Sequence, residues 1–209
     1  AIQILAKPSM MNPDGGVSAT GHEQHGQASS KSEKKAVTDE PEKLNAPSAF
    51  IMSVNELVSA YYKLQNALSH DNYKEAVEFS NVFMKELDKV DMSLLKGKAH
   101  MAWMSHLAEL KKLANAIAAA KDINTARDFF DDFSDRIYTI IKQFGVSTTQ
   151  PVYRFFCPMA NDNKGAYWLQ EKTGTENPYF GSKMFKCGSQ VETVFSGSVE
   201  KKQEEMADE

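Results

Sequence analysis

The sequence contains no apolar run approaching the roughly 18–20 residues that a bilayer-crossing helix needs, so no segment of it is expected to span a membrane. It has no stripe of clustered Lys and Arg either: 24 basic against 28 acidic side chains leave a net charge of -4. Phosphate binding depends on concentrated positive charge that releases counterions, which excludes nucleic acid as a partner. No His-Glu-x-x-His pair, Gly-rich phosphate loop or Cys-x-x-Cys-His haem attachment occurs, and no organic cofactor is implied. Asp128, Asp131, Asp132 and Asp135 crowd one stretch, but the Glu-x-x-His pairs of a di-iron bundle are missing. They read as a solvated acidic face, and the chain is predicted not to be an enzyme. Cysteine is scarce, with two in 209 residues. The chain begins at Ala1 and not Met, with no charged-then-apolar leader, which reads as a processed product or a piece of something longer.

What is present divides the chain into four parts. Residues 1–16 hold Ile2, Ile4 and Leu5, which read as the end of a strand from a missing partner domain. Residues 17–49 are rich in Ser, Lys and Glu, include Pro41 and Pro47, and carry too little apolar surface to offset chain entropy, so they read as a flexible, His-containing linker. Residues 50–195 form the folded unit, and residues 196–209 a charged tail.

Within the folded unit four segments show helical periodicity. The first carries Val54, Leu57, Tyr61, Leu64 and Leu68, and Ser53 with Glu56 three residues on reads as a capping box at its start. The second, after Asp71, carries Tyr73, Ala76, Ser80, Phe83, Leu87 and Val90. The third carries Trp103, Leu107, Leu110, Ala114 and Ile117. The fourth carries Ile123, Ala126, Phe130, Phe133, Ile137 and Phe144, with Gly145 as a left-handed C-cap. Short links force antiparallel neighbours, which predicts a mainly α chain built on an antiparallel four-helix bundle. Beyond Gly145 the pattern turns irregular and partly β: Pro151–Phe156 and Ala166–Leu169 read as short strands, and Asn177-Pro178 with Gly181 as turns. So small a unit has too little core to stand alone and is expected to pack on the bundle.

This C-terminal segment holds both cysteines, each with a methionine close by: Cys157-Pro158-Met159 and Met184-Phe185-Lys186-Cys187. Thiolate and thioether are soft donors that favour Cu(I) or Ag(I) over hard cations, so the set Cys157, Met159, Met184 and Cys187 is a candidate metal site. A Cys157–Cys187 disulfide, contributing about 3–4 kcal/mol in an oxidising compartment, is the competing reading, with two unrelated buried thiols as a third. In the linker His22 and His25, near Met10 and Met11, form a weaker secondary donor set. His100 and Met104, one turn apart beside Met101, are a further candidate, weighed against a satisfied histidine among gap-filling methionines. The aromatic runs at Tyr167-Trp168 and Tyr179-Phe180 read as core, with a lid over an ion as the alternative.

The stretches Tyr153-Arg154-Phe155-Phe156-Cys157-Pro158-Met159-Ala160, Lys164-Gly165-Ala166-Tyr167-Trp168-Leu169, Asn177-Pro178-Tyr179-Phe180-Gly181-Ser182-Lys183-Met184 and Cys187-Gly188 resemble the uncharacterised C-terminal helical domain of CusB-like heavy-metal efflux adaptors. These are the periplasmic membrane-fusion subunits of resistance-nodulation-division pumps. The resemblance spans roughly 50–195, and the Lys7–Gly16 and Gly21–Gly26 stretches look like the junction after such an adaptor's β-domain. It implies a periplasmic setting, copper or silver as cargo, the pump and other adaptor subunits as partners, and a metal role for Cys157, Met159, Met184 and Cys187.

Overall fold

The computed structural model describes residues 40–197. Residues 1–16, the linker as far as residue 39 with His22 and His25, and the tail from residue 198 lie outside the described residues. The described chain is mainly helical: α1 (Ser48–Ser69), α2 (Tyr73–Asp88), α3 (Gly97–Ala118) and α4 (Ile123–Phe144), with a 3-10 turn at Met92–Leu94. Each helix packs on the next, and α4 closes against α1. Among the described residues no helix is long and apolar enough to cross a membrane.

The periodic stripes become the core. Val54, Leu57, Tyr61, Leu64 and Leu68 on α1 are all buried, as are Phe130, Phe133 and Ile137 on α4. Aromatic rings fill two layers. Phe50 meets Trp103 edge-on at 5.0 Å and Phe144 at 5.2 Å, while Tyr61 stacks on Phe130 at 5.4 Å and Phe83 meets Phe133 at 4.8 Å. Such pairs add about 0.5–1.5 kcal/mol each beyond area burial. The starts of α2 and α4 are set by side chains that satisfy orphan amides: Asn72 Oδ1 accepts from Glu75 N at 3.2 Å and Asp122 Oδ1 from Thr125 N at 2.9 Å.

Three boundary readings are corrected. α1 begins at Ser48 behind Pro47, so Ser53 lies inside the helix, where its hydroxyl donates to Ala49 O at 3.4 Å and not to a capping box. Gly145 takes a positive φ of 83° as expected, but its ψ of 175° is extended, not left-handed helical. The described end of the expected linker lies against the bundle: Leu44 N donates to Gln143 O at 2.7 Å, and Leu44 and Ala46 pack on the core.

After Gly145 the chain forms a three-stranded antiparallel sheet, β1 (Val152–Cys157), β2 (Ala166–Gln170) and β3 (Ser189–Phe195), ordered β2-β1-β3. β1 is central, so Tyr153 faces Gln170 on one side and Thr193 on the other. The two expected strands are present. β3 is additional; the β-branched residues Val191, Thr193 and Val194 are the signal that marks it. The sheet joins the bundle through β2, which packs on α1 and α4. Phe155, Trp168 and Leu169 are buried in the same core cluster as the helix stripes.

Edge strand β2 has its outer polar groups covered by side chains. Leu169 N donates to the Tyr61 hydroxyl at 3.0 Å, which shares a second hydrogen bond with Ser134 Oγ at 2.8 Å. The Tyr179 hydroxyl donates to Tyr167 O, and Tyr167 N donates to the Asp131 carboxylate. An unpaired edge is thereby closed without a further strand.

Candidate metal centre

Cys157 ends β1 and is fully buried; Cys187 is half-buried, and the two sulfurs lie 3.5 Å apart as free thiols. The contact is built from both sides. Cys157 stands opposite Ala166 in the β1–β2 register. Cys187 N donates to Met184 O at 2.9 Å, and Cys187 O accepts from Asn177 Nδ2 at 2.8 Å. Asn177, itself fully buried, also receives Tyr179 N at 2.8 Å on its Oδ1 and donates its own amide to Phe185 O at 2.9 Å. Gly188 then passes so close to the sheet, at φ 110°, that a Cβ there would sit 2.7 Å from Phe156 O and from the Trp168 ring. No other residue fits that passage without displacing the strand, so the glycine holds Cys187 down on Cys157.

Met159 and Met184 lie elsewhere in the arrangement. Both line a cleft of about 430 Å³ together with Arg127, Asp131, Tyr179 and Phe180, a cleft whose lining does not include the cysteines. Met159 is exposed and Met184 half-buried. The four donors of the sequence reading therefore divide into a thiol pair in contact and a thioether pair on one cleft. Among the described residues no three His, Cys, Asp or Glu side chains come together to hold a metal. The aromatic runs are core except for half-buried Tyr167: Trp168 is fully buried, stacks on Phe155 at 5.4 Å and meets Tyr179 at 6.0 Å, and Tyr179 and Phe180 pack on the core.

The electrostatics follow from burial. The Cys187 thiol is pushed above its ordinary value, first by desolvation and then by the hydrogen bond with Cys157. Asp131 is raised to about 6, mainly by burial and then by repulsion from Asp135 and Asp132, against the lowering effect of bonds from Tyr167 N and Asn161 Nδ2. The acidic stretch of α4 is thus not wholly solvated, because the C-terminal segment covers part of it. Asp135 also bonds Arg154 at 2.9 Å, whose guanidinium lies between the rings of Tyr138 at 3.7 Å and Tyr167 at 3.9 Å.

Two positioning residues escape the sequence reading. Asn177 stands out only as a turn residue, since nothing local reveals that its amide reaches Cys187. Arg127 is buried, donating to Pro178 O, Leu68 O and Asp71 Oδ1, each at 2.7 Å. Its signal was its place one turn after Ile123 and one before Phe130, on the apolar face of α4.

No curated protein and no solved structure matches the chain. Residues 57–149 match the model of a family described as a protein of unknown function, DUF3347, so the likeness covers the bundle from Leu57 onward and stops short of the strands that carry Cys157 and Cys187.

Proposed function

We propose that this chain is a periplasmic accessory domain of a heavy-metal efflux adaptor, which binds Cu(I) or Ag(I) as cargo for a resistance-nodulation-division pump and its adaptor subunits. Cys157 and Cys187 are its principal ligands, and Met159 and Met184 are thioether donors at the neighbouring cleft. The observation that carries the reading is the 3.5 Å contact between two free thiols. With a metal–sulfur bond of about 2.3 Å, two sulfurs on one ion stand about 4.0–4.6 Å apart, so the thiols need to part by about 0.5–1 Å to admit a low-coordinate soft ion. Each thiol yields its proton as the ion enters, and the raised Cys187 value makes uptake strengthen as pH rises. No catalytic turnover is required.

The same contact favours a second reading, a structural or assembly module in which Cys157 and Cys187 form a disulfide and no metal is bound. One preparation separates them. Reduced protein is titrated against a chromophoric Cu(I) chelator, and free thiols are counted on the air-purified, metal-free chain. The metal reading expects retention of one equivalent, its loss in Cys187→Ser, and weaker retention in Met159→Leu with the fold intact. Folded, reduced protein that loses Cu(I) to a weak chelator overturns it, and a near-zero thiol count with no metal retention supports the disulfide module.

A further inference from the structure

None of the seven methionines among the described residues is buried, although methionine is ordinarily a filler of irregular core gaps. The core is made chiefly of Leu, Ile, Val, Ala, Phe and Trp instead. Among the described residues the thioether sulfurs are kept at or near the surface, where burial gives little to folding, with only Met84 and Met184 half-buried. The gap-filling role considered for Met101 and Met104 does not hold, since they are 70% and 40% exposed.

We propose that His100, Met101 and Met104, near the start of α3, form a second soft-metal site for a monovalent cation such as Cu(I) or Ag(I). α3 is continuous from Gly97 to Ala118. His100 and Met101 therefore stand four and three residues before Met104, the two spacings that bring helix side chains together, with Cβ atoms about 5–6 Å apart. One ion bonded to Met104 is within reach of both neighbours.

His100 is available for this role and the other described histidines are not. His70 is held by Asn66 O at 2.9 Å and by Ser69, and His106 by Gln143 Oε1 at 2.7 Å. His100 has no hydrogen bond, ion pair or ring contact among the described residues. The local sequence also selects the ion. From Met92 to Leu107 no Asp or Glu occurs, and the Glu42 carboxylate that approaches the start of α3 is held by Lys98 Nζ at 3.2 Å, so the helix itself offers no free hard oxygen donor for a divalent cation. Lys96 and the positive end of α3 disfavour charge above one, the Lys98 charge being offset by its Glu42 partner. Imidazole with two thioethers is a neutral donor set that keeps a monovalent soft ion from carrying further charge.

The site uses no cysteine, so it is tested where the thiol pair is absent. In the full chain carrying Cys157→Ser and Cys187→Ser, with methionine methyl groups labelled for NMR, silver nitrate is added in chloride-free buffer. One equivalent is expected to shift the Met101 and Met104 methyls, zinc is expected to leave them in place, and His100→Ala or Met104→Leu is expected to weaken silver binding at least tenfold without altering the circular dichroism spectrum. As a check that does not depend on the serine variants folding, Met104→Leu in the chain with both cysteines should lower silver stoichiometry by one equivalent. Unmoved methyls, or a His100→Ala protein that binds as tightly as its parent, overturn the proposal. Loss of binding in Cys187→Ser alone bears on the thiol pair and leaves this site standing.

Discussion

Arg127 Nη2 donates to Asp71 Oδ1 at 2.7 Å, joining the start of α4 to the turn that closes α1. Asp71 completes the link by accepting Ser182 N at 2.8 Å on its other oxygen. The guanidinium also takes the carbonyls of Leu68 and Pro178, so one side chain ties two helices and the loop leading to Cys187. Gly181 lies against this pair at φ 57°, where a Cβ would sit 2.0 Å from Asp71 Oδ1.

Removing either element should loosen the C-terminal segment. Arg127→Met leaves the buried Pro178 carbonyl without its donor and the Leu68 carbonyl with only the 3.3 Å bond from Asp71 N, and is expected to cost about 2–4 kcal/mol. Gly181→Ala is expected to cost at least about 2 kcal/mol from the clash and the positive φ. Urea unfolding measures both, and a loss below about 1 kcal/mol in each refutes the anchor.

The same carboxylate gives an acid dependence. Hydrogen bonds from Ser182 and then Arg127 hold Asp71 at about 2, below its ordinary 3.8. The stability it contributes is present above about pH 4 and is lost as pH falls through about 2. The side chain is 37% exposed, so solvent screening holds the effect to about 1 kcal/mol. Between pH 4 and 2 wild-type stability should fall more steeply than that of Asp71→Asn, and parallel curves refute the assignment.

Asp131 carries the opposite sign. Its folded value of about 6 lies above the ordinary 3.8, so burial favours the neutral form. Its cost is absent below about pH 4, grows between 4 and 6, and is complete at neutral pH. Asp131→Asn should therefore stabilise the protein by about 1–2 kcal/mol at pH 7.5 and leave it unchanged at pH 4. Thermal midpoints at the two pH values measure this, and an equal effect at both refutes it.

The bundle register is tested by paired truncations. Phe133 and Leu110 are fully buried, whereas Leu107, on the stripe by periodicity, is only half-buried because His106 takes the inner position. Phe133→Ala is expected to cost about 3–5 kcal/mol and Leu110→Ala about 2–5, with Leu107→Ala clearly less than Leu110→Ala. A Leu107 variant as damaged as the Leu110 variant would shift the register of α3.

The helices were legible in sequence because each buries one face, and a period of 3.6 leaves its mark on local composition. Val54 to Leu68 and Phe130 to Ile137 required no partner to be recognised. Errors came where the period admits two answers, as at His106 and Leu107, or where a polar residue occupies the apolar face, as at Arg127. The thiol pair was half legible. Two cysteines with a methionine beside each mark soft chemistry, but spacing says nothing about which sulfurs meet.

The sequence by itself determined a helical bundle, two of the three strands, and the soft-donor character of the cysteine-bearing segment. All of these depend on residue type and on contacts within a turn or a strand. Only the tertiary structure decided that Cys157 touches Cys187 while Met159 and Met184 face a separate cleft, that Asn177 and Gly188 enforce the thiol contact, and that α4 shares Asp131 and Asp135 with the sheet. Those contacts join residues far apart in sequence, where closure is set by how the sheet edge docks on α1 and α4 and leaves no periodic trace in the chain.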